Sequence, residues 1–151
     1  MQLPLVLKCK EMGIESHCFA WADGAVCDGY ADYFYPISII EKEQILEKCK
    51  EIGIDAIASI ASDLAVTTVN YVADKMGLIA NPVEYTDITT NKYKMRQALS
   101  FDGVPCPLFM VVEDGEIPDI SDMTFPLIVK PTDRSGSRGV KKILTVEELS
   151  N

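Results

Sequence analysis

The sequence predicts an α/β chain in two parts: an open, mostly parallel sheet with helices, then a helix followed by a small antiparallel sheet. Three observations carry that expectation. Helical and strand-like apolar patterns alternate over residues 4–76 in the order helix, strand, helix, strand, helix. The style changes after Asn81-Pro82, where one helical segment precedes short apolar runs divided by Gly- and Pro-rich turns. The apolar share is 48% and the charged share 25%, which supports a folded core rather than a disordered chain.

Leu3, Val6, Leu7 and Met12 share a helical face, with Pro4 in the first turn and Gly13 as the stop. Residues 16–21 read as a short strand, and residues 22–38 as a loop-rich stretch carrying Tyr30, Tyr33 and Tyr35. An amphipathic helix over 43–52 ends at Gly53, and the apolar run 54–60 suits a buried parallel strand. Ser62 or Asp63 can cap a helix reaching about Met76, before Gly77. In the second part, Thr90 can cap a helix over 91–101, broken by the Gly- and Pro-rich turn 102–107. Residues 108–112 read as a strand and 113–116 as a turn. Residues 125–130 and 140–144 read as two further strands joined by a glycine- and serine-rich loop. Thr145 to Glu148 has the form of a capping box opening a helix with three residues left, and the opening helix has no strand before it, so the chain reads as cut at both ends.

A length of 151 residues suits one domain or two small ones, and the boundary falls near residues 83–87, giving segments 1–84 and 85–151. The net charge of −9 repels a phosphate backbone and argues against nucleic acid, while a local basic cluster can still hold a small anion. No apolar run approaches bilayer length and no signal-peptide pattern opens the chain, so no membrane partner and a cytoplasmic location are expected. Five cysteines without a C-x-x-C pair, beside the single histidine His17, disfavour structural zinc and a disulfide framework. The thiols read as buried or half-buried residues, and His17 as a strand or edge residue rather than a catalyst.

The most informative stretch is 125–140, an apolar strand ending in Lys130, a loop of small residues, and a returning strand. Gly136 and Gly139 permit backbone angles that let N–H groups converge on a phosphate. Ser135 and Ser137 add hydroxyl donors, Arg134 and Arg138 add charged ones, and Lys130 offers a point charge. Neither G-x-x-x-x-G-K-[ST] nor G-x-G-x-x-G is present, and a flexible hairpin with solvated arginines remains an alternative reading. Lys92 by itself reads as a solvated helix residue.

The ordered segments T-N-K-Y-K-M-R-Q-A-L from Thr90, G-V-P-C-P-L-F from Gly103, F-P-L-I-V-K-P from Phe125 and S-G-S-R-G from Ser135 resemble the signatures of the ATP-grasp superfamily. They look most like members related to the carbamoyl phosphate synthetase large chain and biotin carboxylase. The resemblance implies a pre-ATP-grasp, Rossmann-like parallel sheet lacking its first strand over 1–84, then the small N-terminal α+β subdomain of an ATP-grasp fold over 85–151. It implies that Lys92 and Lys130 contact nucleotide phosphates and that Ser135, Gly136, Ser137, Arg138 and Gly139 form a flap over them. The implied ligands are ATP and Mg2+, with the metal carboxylates outside this chain and no metal ligand or catalytic residue assigned within it. The implied activity is an ATP-dependent carboxylate–amine or related ligase acting through an acyl-phosphate, on a small carboxylate and a nucleophile of unknown identity. The chain alone, an N-terminal fragment, is then expected to be inactive, and a homo-oligomer stands among the partners that the resemblance leaves open. A non-catalytic nucleotide-binding or assembly module is the alternative.

Overall fold

The computed structural model describes residues 2–116, 118–134 and 136–150. The chain divides into two compact units, Met1–Thr86 and Asp87–Asn151.

In the first unit, helix α1 (Leu3–Glu11) carries its proline in the first turn, where the missing N–H costs nothing. Strand β1 (His17–Phe19) pairs in parallel with β2 (Tyr33–Tyr35), His17 opposite Tyr33 and Phe19 opposite Tyr35. Helices α2 (Lys42–Ile52) and α3 (Asp63–Met76) pack together. Both end on a left-handed glycine, Gly53 at φ 75° and Gly77 at φ 67°, the conformation that lets an N–H turn back onto the last helical carbonyls. Ser62 caps α3, its hydroxyl accepting from the Ala65 N–H. The core of this unit is Ile45, Leu46, Cys49 and Val72, flanked by Phe19, Ile37, Ile54 and Ile57. Buried Thr68 and Asn70 are satisfied by the Ile39 carbonyl at 2.5 Å and the Thr86 hydroxyl at 3.4 Å.

Two expectations for this unit need correction. Tyr33–Tyr35 lies in the parallel sheet, not in a loop. Residues 54–60 form no strand: Ile54 and Ile57 turn to the core, but the stretch has no ladder. A side chain takes the place of a neighbouring strand at its end. The Gln2 carboxamide donates to the Ile60 carbonyl at 2.6 Å and accepts from the Ile60 N–H at 3.0 Å, and Ala61 then leaves the extended region at φ 53°. An apolar run fixes burial but not pairing, which depends on what backbone lies alongside.

The second unit begins in α4 (Thr86–Thr90), followed by α5 (Lys92–Phe101) and an antiparallel pair, β3 (Leu127–Val129) with β4 (Lys141–Ile143). Leu127 stands opposite Ile143 and Val129 opposite Lys141. Ile143 is buried, and Tyr93 meets Phe109 edge to face at 5.8 Å. Residues 108–112, expected as a strand, run without regular pairing; Leu108, Met110, Val111 and Val112 are exposed. The expected helix cap also moves by one residue. Thr90 closes α4, and Asn91 caps α5. After Leu144 the chain ends in a short 3-10 helix, Val146–Ser150, where Glu148 reaches back to accept from the Leu144 N–H at 2.8 Å.

Among the described residues no helix is long and apolar enough to cross a membrane.

Candidate nucleotide-binding loop

The loop between β3 and β4 is the basic feature of an acidic chain. From Lys130 to Lys142 the sequence holds five cations, Lys130, Arg134, Arg138, Lys141 and Lys142, against one carboxylate, Asp133; the local net charge is +4 in a chain of −9. Lys130 is exposed at the end of β3. Gly136, Ser137 and Gly139 all have positive φ, at 67°, 57° and 74°. A turn of this kind can direct successive N–H groups to one side, the arrangement that receives anions elsewhere. Gly139 is also required sterically: a Cβ there would stand 2.9 Å from Pro131 Cγ, so the limb after Lys130 and the limb before β4 approach too closely for a side chain. Ser135, the remaining member of the sequence-derived set, lies outside the described residues.

Helix α5 brings Lys92 to this loop. Asn91 accepts from both the Tyr93 and Lys94 N–H groups at 3.0 Å, which sets Lys92 as the first helical residue. The Lys92 N–H donates to the Thr132 carbonyl at 2.8 Å, two residues beyond Lys130, and the Lys92 ammonium donates to the Arg134 carbonyl. The first three N–H groups of α5 are therefore engaged within the protein. An anion here would have to be met by side chains and loop amides, since the helix terminus has already spent its donors. Lys94 pairs with Asp87 and is turned to that carboxylate.

Sequence reasoning selected Lys92, Lys130 and the loop, but not Asn91 or the acceptor carbonyls of Thr132 and Arg134. The signal for Asn91 was present, since asparagine immediately before a helical run is a strong cap. Replacing Asn91 with alanine leaves two N–H groups without their acceptor, and we expect a loss of about 1 kcal/mol in urea denaturation of the chain. An unchanged midpoint would show that water replaces the carboxamide without cost.

No set of three or more His, Cys, Asp or Glu side chains suited to a metal occurs among the described residues. A depression of about 500 Å³ lies in the first unit, lined by Lys10, Gly13, Ile14, Glu15, Asp32 and Tyr33. It is open and contains no residue of the basic loop. Asp32 on its rim is held below the usual carboxylate range by the Ser16 N–H and hydroxyl, both donating to its Oδ2 at 2.8 Å.

The chain is 25% identical over 148 residues to a formate-dependent phosphoribosylglycinamide formyltransferase of Prochlorococcus marinus, covering 96% of this chain and 38% of the relative. It is 27% identical over 119 residues to a D-alanine–D-alanine ligase A of Bacillus cereus, covering 76% and 40%. Its fold matches the crystal structure of an L-amino acid ligase from Bacillus licheniformis with a TM-score of 0.74 at 20% identity, over 97% of this chain and 37% of the other. The proteins that this chain is similar to are ATP-grasp ligases. The structure of phosphoribosylglycinamide synthetase from Anaerococcus prevotii agrees in fold, with a TM-score of 0.71 at 23% identity over 99% of this chain and 37% of that one. No family model matches. The chain spans about two fifths of the length of these relatives of ATP-grasp type. They are a formyltransferase, a D-alanine–D-alanine ligase and a synthetase, whereas the signature segments look most like the carbamoyl phosphate synthetase large chain and biotin carboxylase.

Proposed function

We propose that this chain is the phosphate-binding portion of an ATP-dependent ligase that joins a small carboxylate to an amine or similar nucleophile. The observation that carries the reading is the meeting of Lys92 with the basic loop that follows Lys130. These cations and loop amides are the groups needed to offset polyphosphate charge in a cleft. In this reading Lys92 and Lys130 contact phosphate oxygens, and the turn containing Gly136, Ser137, Arg138 and Gly139, together with Ser135, closes over them. Segments 1–84 and 85–151 correspond to a pre-ATP-grasp domain and the first subdomain of the ATP-grasp fold.

The chemistry follows the reaction class. A carboxylate oxygen of the substrate attacks the terminal phosphorus of ATP, ADP leaves, and the resulting acyl-phosphate is attacked at carbon by the nucleophile, releasing phosphate. Magnesium, when bound, supplies further charge neutralisation, with ligands from outside this chain. The chain's own residues hold and screen the phosphates. Alone it should not turn over ATP, because charge left unneutralised raises the barrier to phosphoryl transfer.

The test is calorimetry of ATP binding to the full-length protein, followed by phosphate release with and without candidate carboxylates. Binding together with carboxylate-dependent release of phosphate is the expected result. Binding without release under any carboxylate would favour a nucleotide-binding module instead, and no binding would reject both.

A further inference from the structure

Lys92 makes two contacts with the chain that follows Lys130. Its N–H reaches the Thr132 carbonyl at 2.8 Å, and its ammonium reaches the Arg134 carbonyl. The two acceptors bracket Asp133, so one residue of α5 grips the outgoing limb of the loop at two points two residues apart. The positive-φ turn of Gly136, Ser137 and Gly139 lies beyond that grip. The main-chain contact belongs to the helix start and is fixed by the Asn91 cap. The ammonium contact is different in kind. It rests on a long, half-buried side chain whose charged end is free to choose between oxygen acceptors.

We propose that Lys92 is a latch for this loop. In the ligand-free protein its ammonium holds the outgoing limb against α5 through the Arg134 carbonyl; when a nucleotide arrives, a phosphate oxygen takes that ammonium and the limb is released. A phosphate oxygen carries formal charge and a carbonyl oxygen does not, so the charged acceptor wins the exchange. The latch couples occupancy of the site to freedom of the loop that covers it. The exchange step rests on the nucleotide reading given above, whereas the grip on the loop does not.

The arginines of the chain are Arg96, Arg134 and Arg138, which gives a direct readout. An arginine-specific protease cutting after Arg134 and Arg138 reports on the loop, and cutting after Arg96, inside α5, reports on unfolding of the helix. With the full chain and no ligand, Lys92→Met should raise cutting after Arg134 and Arg138 roughly fivefold, the scale of one ordinary hydrogen bond on an exposed segment, without raising cutting after Arg96. Lys92→Arg, which keeps a cationic donor, should restore most of the protection. Inorganic triphosphate should raise loop cutting in the wild type and leave the Lys92→Met pattern as it was; a fall in wild-type loop cutting would overturn the exchange step. Equal loop cutting in wild type and Lys92→Met would overturn the latch, as would a rise confined to or led by Arg96. If Lys92→Met is cut faster but triphosphate has no effect on the wild type, the grip stands and the nucleotide reading fails with the exchange step.

Discussion

In the full-length protein, joint replacement of Lys92 and Lys130 by methionine should lower ATP affinity by two to four orders of magnitude while leaving the fold in place. Hydrogen bonds to charged groups are each worth about 1.5–3 kcal/mol, so two lost phosphate contacts amount to roughly 3–6 kcal/mol. Methionine retains most of the apolar stem of lysine, and Lys130 is exposed, so little packing is disturbed. Lys141→Met is the natural control. Lys141 stands on β4 opposite Val129, within the same basic stretch but not among the residues matched to phosphate contacts. If affinity depends only on the local field, Lys141→Met will weaken binding as much as either single change, and its effect will fade with salt. If Lys92 and Lys130 touch phosphate, each will cost more than Lys141 at any salt concentration. Affinity of the double variant within twofold of wild type, with an unchanged melting temperature, would remove the case for the loop as a nucleotide site.

The second large effect concerns pH and the first unit. Burial pushes the Cys49 thiol up to about 11, and Cys49 is inaccessible to solvent among Ile45, Leu46 and Val72. Burial, with the neighbouring Cys27 thiol and Asp28, pushes Cys18 up to about 11 as well. Both groups are neutral in the folded chain over a range where the unfolded chain has begun to ionise, near the ordinary thiol value of 9.0. Their contribution is thus fully present below about pH 9 and is lost as pH rises through 11. Cys49 should account for a loss on the order of 2 kcal/mol and the half-buried Cys18 for less. Urea midpoints between pH 8 and pH 11 under reducing conditions measure this. Lysine and tyrosine groups also ionise there, so the decisive comparison is Cys49→Ala, which should start less stable at pH 8 and lose less on the way to pH 11. Parallel pH profiles for the two proteins would show that Cys49 ionises no differently in the folded and unfolded chains.

Much of the helical framework was legible without coordinates. The glycine stops at Gly53 and Gly77, the serine cap at Ser62 and the proline in α1 are local devices, and each follows from what one residue's backbone or side chain permits. The β3–β4 pair was legible for a similar reason, because two short apolar runs flank a loop rich in turn-forming residues. The strands of the first unit were not. Residues 33–35 and 54–60 both contain residues suited to a strand, yet one lies in the parallel sheet and the other ends on the Gln2 carboxamide.

For the candidate site, the sequence by itself determined the cations, the glycines and the local charge of +4 between Lys130 and Lys142, because composition and backbone freedom belong to residues one at a time. Only the tertiary structure decided that the ammonium of Lys92 meets the Arg134 carbonyl, 42 residues along the chain, and that Gly139 must lack a side chain because Pro131 is against it. A contact across such a separation depends on how α5 and the loop pack, and no local preference of either segment encodes it.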